Sequence, residues 1–419
     1  MRILYLTHRL PYAPNRGDRV RAFHTLKLLA GRAEVELLSL VHDRGEAGQA
    51  SVLLDLAKVT VARVPKWQNR VRAAAALPTT RPLTEVLLDA PALARSVRDI
   101  VERGRPDVVL AYCSSMARVA RLPLLRDIPM VLDLVDVDSQ KWEDMAGCSS
   151  GPMRWIYRRE ARCLGAFEAS VATSACATLV VNEREAAVAR RLAPRANVRV
   201  VANGINVEYF RPTPGAVRKP TVVFCGVMDY RPNEEGALWL ALKVWPLVRA
   251  RRPDATLALV GANPTARLRS ACAAEDSIHV TGTVPDVRPF LWEAAAAVAP
   301  LRVARGVQNK VLEAVAAGLP AVITPQVAGG LPPSIMPACS VRETAGAFAD
   351  AILELLALTG AEREERVGTT RLQSLAWGTT LEPLWEILTR AARPEMHTAD
   401  QHTGDQEARS CSALQERTS

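Results

Sequence analysis

No window of the 419-residue sequence reaches the roughly 18 uninterrupted apolar residues that a membrane-spanning helix needs. The nearest, residues 166–181, is broken by Glu168 and several hydroxyls, so an integral membrane protein is not expected. The opening Met1-Arg-Ile-Leu-Tyr-Leu-Thr-His8 has neither a long apolar stretch nor a small-residue cleavage site; it reads as a buried strand rather than a signal peptide. Aromatic residues make up only 5%, and no recognised nucleic-acid module is present. Nucleic acid is therefore the least expected of the anionic partners that a net charge of +9 favours, the others being acidic lipid and a sugar nucleotide. The eight cysteines (Cys113, Cys148, Cys163, Cys176, Cys225, Cys272, Cys339, Cys411) are scattered and do not cluster with the six histidines. That excludes a zinc site and a disulfide framework and implies reduced, mostly core-filling thiols of a cytoplasmic protein. No short-period repeat is present.

What is present is 49% hydrophobic and 23% charged residues, enough for two soluble domains. Apolar runs of strand length alternate with amphipathic stretches, the pattern of βα units feeding parallel sheets. Strands are expected at 3–7, 35–41, 59–64, 108–112, 130–135, 179–181 and 198–202, then at 221–225, 256–260, 278–281, 297–300 and 321–324. Each half thus carries an open α/β sheet. The expected organisation is an N-terminal domain 1–203, a proline-rich linker 204–220, a C-terminal domain 221–376, a last helix 377–392 and a polar, disordered tail 393–419.

In such folds ligands bind outside the carboxyl ends of the strands, and four strand-end loops carry chemistry. The first runs from His8 through Gly17, Asp18, Arg19 and Arg21 into a helix. It suits a phosphate or sugar on exposed helix-start amides, or simply solvated arginines. The second holds Asp133, Asp136 and Asp138, three carboxylates within six residues. One of them can face the cleft as an acid, base or hydroxyl holder, or Asp138 or Ser139 can cap the next helix. The third, Gly226 to Glu235, offers a glycine for close backbone approach, Arg231, and Asn233 as a helix cap. The fourth holds Arg305, Gly306, Asn309, Lys310 and Glu313 ahead of Gly318-Leu-Pro320. A lysine and helix-start amides suit a diphosphate, and a carboxylate one turn on suits a ribose diol. The competing reading is a local Lys310–Glu313 surface pair.

The fourth segment resembles the donor-binding motif of glycosyltransferase family four, retaining enzymes of the GT-B fold. The resemblance extends to Asn203-Gly204-Ile-Asn206, Val260-Gly261-Ala and Thr281-Gly282-Thr-Val-Pro285. More narrowly, Thr7-His8-Arg-Leu-Pro-Tyr, Gly17-Asp18-Arg19, Asp136-Val-Asp138-Ser139 and the Arg305–Lys310 stretch are similar to the transferases of exosortase-associated exopolysaccharide loci. The resemblance implies two doubly wound Rossmann-like domains facing a central cleft, and a last helix that returns to the first domain. It also implies a nucleoside-diphosphate sugar as donor, a saccharide or lipid-linked acceptor, and no metal or cofactor. Glu313 matches the family's ribose-holding glutamate. Arg305 stands where a sugar-binding glutamate is usual, which leaves sugar recognition unassigned and offers Arg305 to phosphate instead.

The residues expected to carry the reaction are Asp136, Arg305 and Lys310. Donor binding is expected from Gly226, Arg231, Gly306, Asn309, Lys310 and Glu313, and acceptor-side contacts from Gly17, Asp18, Arg19 and Asp138. Basic-aromatic segments at Lys66–Arg72 and Arg154–Arg159 suggest peripheral attachment to the inner face of an anionic membrane. A nucleotide-sugar epimerase of related fold and a non-catalytic GT-B subunit of a polysaccharide assembly complex are the alternatives.

Overall fold

The computed structural model describes residues 1–12, 17–212, 218–304 and 307–393, with residues 17 and 18 described by backbone only. The chain forms two compact units. One comprises Met1–Val180, Ala187–Arg199 and the chain from Glu382; the other comprises Val181–Ala186 and Val200–Leu381.

The first unit is built on seven strands: β1 (Arg2–Thr7), β2 (Glu34–Val41), β3 (Lys58–Arg63), β4 (Val108–Tyr112), β5 (Met130–Val135), β6 (Ala177–Val180) and β7 (Val198–Val200). They lie in the order β3-β2-β1-β4-β5-β6-β7. Ile3 to Leu6 are fully buried, as strands covered by helices on both faces must be. Ile3 registers in parallel with Val35 on one side and Val108 on the other.

The second unit has six strands: β8 (Thr221–Cys225), β9 (Thr256–Val260), β10 (Ile278–Gly282), β11 (Ala296–Ala299), β12 (Ala321–Ile323) and β13 (Cys339–Val341), in the order β10-β9-β8-β11-β12-β13. Val222 registers with Leu257 of β9 and Ala296 of β11. In both sheets strand order reverses beside the first strand, between β1 and β4 and between β8 and β11. These are the switch points where doubly wound sheets bind ligands.

The segment expected as a linker belongs to the second unit as far as it is described. Ile205 bridges to Ala376 and donates its amide to Leu375 O at 2.8 Å, while Val207 and Phe210 are buried. Apolar side chains anchor this stretch before its prolines begin, and residues 213–217 lie outside the described residues. The chain rejoins the first unit at Glu382, a few residues after the expected start of the last helix. There the helix Glu382–Ala391 buries Leu384 and Leu388, and Arg32 forks onto the Glu382 carboxylate at 2.7 and 2.8 Å. The tail beyond Arg393 lies outside the described residues. Strand β13 was not expected. Of the described cysteines Cys272 lies in the core of the second unit and Cys225 and Cys339 pack against it, while Cys148 and Cys176 are exposed, so the core-filling role holds for only part of them.

Candidate functional site

The site in the second unit assembles at the β8/β11 switch point. Helix Arg231–Trp239 follows β8 and helix Asn309–Ala316 follows β11. Because β8 and β11 are neighbours, the starts of these helices lie side by side. There Lys310 Nζ donates to Asn233 Oδ1 at 2.8 Å and lies 5.3 Å from the centre of the Phe224 ring. Asn233 is not the cap expected of it: the helix begins two residues earlier, after Tyr230, and the Asn233 side chain turns inward. Its Nδ2 donates to Val227 O at 2.9 Å while its oxygen receives Lys310.

Gly226 serves this contact. A Cβ on it would meet Asn233 Nδ2 at 2.8 Å, and one on Gly261, whose φ is 146°, would fall 1.8 Å from Gly226 O. The close approach that Gly226 was expected to give a ligand is therefore used first to join the ends of β8 and β9 and to admit the amide that holds Lys310.

Lys310 and Glu313 form no ion pair with each other. Among the described residues the Glu313 carboxylate makes no hydrogen bond, so the surface-pair reading fails. Burial pulls the Lys310 ammonium down to about 8, with Cys225 and Glu313 opposing. Burial pushes the Glu313 carboxyl up to about 7, with Lys310 opposing. Both groups are thus shifted toward their neutral forms, a shift that a ligand supplying the opposite charge or hydroxyl donors would reverse. The Asn309 side-chain oxygen is buried without a partner, and the first amides of its helix have no intrahelical acceptor by position. Together these groups can hold a dianion and a diol side by side. Arg231 is exposed and pairs with Glu235 at 2.7 Å, one turn along its own helix. Arg305 and Gly306 lie outside the described residues.

In the first unit the expected residues are engaged differently. Arg19 is buried, donates to Glu46 Oε1 at 3.0 Å and stacks 4.4 Å over the Tyr12 ring. It is not the solvated arginine that its loop suggested, and its Nε is buried without a partner. Gly17 and Asp18 open the helix Gly17–Ala30, and their side-chain surroundings are not among those described.

The three carboxylates do not face one another without countercharge. Asp133 takes Arg21 at 2.8 and 3.3 Å with both side chains buried. Lys141 sits between the other two, 3.3 Å from Asp136 and 2.8 Å from Asp138. Val135, just before Asp136, has φ of 67°, an uncommon state for a β-branched residue. Neither Asp138 nor Ser139 caps the following helix by its side chain. Both backbone amides are received by Glu168, at 3.0 and 3.2 Å, whose carboxyl burial pushes up to about 7. Glu168, the pairing of Arg21 with Asp133 and the role of Asn233 were missed in the sequence, because each partner lies far away along the chain.

Residues 16–204 match the model of a glycosyl transferase 4-like domain and residues 219–358 that of glycosyl transferases group 1. No curated protein matches the chain. Among solved structures it resembles Anabaena HepE in complex with UDP and glucose, with TM-score 0.65 and 13% identity over 93% of this chain and 99% of that one. It also resembles WaaG, a glycosyltransferase involved in lipopolysaccharide biosynthesis (0.58, 14%, 95% and 100%). A third is a variant of S. aureus TarM in complex with Fondaparinux, alpha-GlcNAc-glycerol and UDP (0.62, 9%, 92% and 99%). With both of these transferase domains in tandem over most of its length, and with the two Rossmann-like sheets of those structures, the chain belongs to the GT-B glycosyltransferases.

Proposed function

We propose that the protein transfers a sugar, with retention of configuration, from a nucleoside-diphosphate sugar to a lipid-linked saccharide in exopolysaccharide assembly. The carrying observation is the Lys310–Glu313 arrangement at the β8/β11 switch point: two opposite charges, one turn apart, that leave each other unpaired. The diphosphate takes Lys310 and the helix-start amides, and Glu313 accepts the two ribose hydroxyls. The leaving phosphate then develops charge against a cation already fixed by Asn233, so no metal is required for that step. Same-face attack with the leaving phosphate as base needs no protein nucleophile, and in this reading Asp136 orients the acceptor hydroxyl. UDP in the HepE and TarM structures makes UDP-sugars the first donors to try.

An anionic membrane surface would present such an acceptor. Among the described residues no helix is long and apolar enough to cross a membrane. The first unit exposes Trp67 and Trp155 beside Lys66, Arg70, Arg154 and Arg158. Arg159 ties the two segments, donating to Ala76 O at 3.1 Å and Thr79 O at 2.6 Å. We assign this basic-aromatic face to peripheral attachment.

The test is incubation with labelled UDP-, GDP- and dTDP-sugars, with and without a lipid-linked saccharide, reading the anomeric configuration of the product. Acceptor-dependent transfer with retention supports the proposal. An epimerised nucleotide, inverted product, or no turnover with any donor overturns it. Co-sedimentation with anionic vesicles that weakens as salt rises supports the attachment, and its absence at low salt removes it.

A further inference from the structure

The opposite edge of the second sheet, at the amino ends of its strands, carries an open cavity of about 420 Å³. Arg218 and Lys219 line it just before β8, with Ala295 just before β11, Leu358, Gly360 and Arg363. Donor chemistry at Lys310 belongs to the carboxyl ends of the same strands, so this cavity is separate from that site.

Among the described residues its two inner cations form no salt bridge, and Glu364 at the rim acts on Arg218 only at longer range. Arg218 donates to Ala294 O at 2.9 Å and to Ala317 O and Gly318 O at 3.0 and 3.2 Å. Gly318, at φ 77°, leaves it room: a Cβ there would stand 2.9 Å from the guanidinium. Arg363, 6% exposed, donates to Ala295 O and Leu358 O at 3.0 and 2.9 Å. Backbone carbonyls satisfy the donors without neutralising either charge, and burial followed by repulsion from Arg363 pulls Arg218 down to about 10, with Glu364 opposing. The outer cations are already engaged, Lys219 with Glu293 at 2.6 Å and Arg252 with Asp254 at 2.8 Å. Glu364, exposed, is the one carboxylate among the lining residues.

A second feature points the same way. The helix Gly360–Gly368 starts at the cavity, with its capping box closing on Thr359 and Glu362. The box occupies the Glu362 amide and leaves those of Gly360 and Ala361 at the positive end of the helix dipole.

We propose that this cavity binds a soluble phosphate-bearing small molecule, with Arg218 and Arg363 as its countercharges and the start of helix Gly360–Gly368 as its cap. Its volume lies within the range of small-ligand sites, and its walls are apolar at Leu356 and Leu358, which suits a phosphomonoester of glycerol or sugar size.

The experiment uses the full chain carrying Lys310→Met, so that phosphate at the donor site does not contribute. Amide hydrogen exchange over residues 358–364 is followed while inorganic phosphate or glycerol 3-phosphate is titrated. Protection that saturates in the millimolar range is expected. Adding Lys219→Glu and Arg252→Glu at the rim, with exchange elsewhere in the chain as the check on folding, should weaken it about tenfold or more by reversing the local field. No protection at tens of millimolar, or protection unchanged by the rim reversals, overturns the site. Protection by phosphatidic acid vesicles with none from glycerol 3-phosphate overturns the assignment to a soluble ligand. None of these outcomes bears on sugar transfer.

Discussion

The first unit holds Arg21 against Asp133 with side-chain exposures of 1% and 0% and two direct hydrogen bonds. The second unit places the same two kinds of charge, Lys310 and Glu313, on successive turns of one helix, and there neither takes the other. Burial is common to both; partnership is not. Where each charge finds its opposite, the pair is closed and acts as architecture, fastening the helix after β1 to β5. Where each is drawn toward neutrality by burial instead, the two charges do not close on each other, and under the proposed function the donor completes them.

The comparison breaks most visibly on the closed side. Asp133→Asn leaves the Arg21 guanidinium buried without its countercharge and should cost about 3–5 kcal/mol of stability in urea titration. Replacing both partners together, as Arg21→Met with Asp133→Leu, should recover much of that. A loss below about 1 kcal/mol for Asp133→Asn would show that the pair is not structural.

On the open side the larger effect belongs to Lys310→Met. Removing the cation that meets the departing diphosphate should lower kcat/KM by roughly a hundred- to a thousandfold. The melting temperature should move far less than in Asp133→Asn, because the lysine gives up a buried charge as well as one bond to Asn233. A collapse in stability with little change in turnover per folded molecule would reverse the contrast.

Glu313→Gln follows, since it keeps shape but trades a charged acceptor for an amide that accepts at only one end. A loss in kcat/KM of about tenfold to several hundredfold is expected from hydrogen bonds of about 1.5–3 kcal/mol each. Part of it should appear as weaker nucleoside-diphosphate binding, because the ribose is remote from the bond being broken. Calorimetry showing unchanged affinity in a folded variant would sink the ribose assignment.

These contrasts also mark what the sequence could show. Apolar runs gave the β strands away wherever the runs were long, but β13 is Cys339-Ser340-Val341 directly after a proline-rich turn and offers no run. The Lys310–Glu313 spacing was legible because one helix carries both. The Asn233 contact was not, since 77 residues separate it from Lys310 and only the adjacency of β8 and β11 joins them. Arg19 and Asp133 show the same limit from the other side: the sequence gives no sign that Glu46 and Arg21 pair with them inside the fold. Sequence displays which charges exist; the fold decides which are already spoken for.

The smallest effect is the most specific to the open site. Under the proposed function donor binding needs Glu313 ionised and Lys310 protonated, so kcat/KM should rise with pH as the carboxyl titrates near 7 and fall as the ammonium titrates near 8. Across this window the change is only a few-fold, steepening to about tenfold per unit outside it. Glu313→Gln should remove the acid limb and keep the alkaline one, and Lys310→Met the reverse. Stability of the ligand-free protein should run the other way. Between the ordinary carboxyl value of 4.5 and about 7 the folded chain binds the extra proton at Glu313, so stability falls as pH rises. From about 8 to the ordinary lysine value of 10.5 the unfolded chain binds the extra proton, so the Lys310 contribution grows with pH. The site therefore costs most stability between 7 and 8, where it is best charged for its donor, and a saturating diphosphate should raise the melting temperature there above all. A flat activity profile from pH 6 to 9 in the wild type, with both variants equally flat, would mean that neither group titrates in the free site and that the two units do not differ as argued.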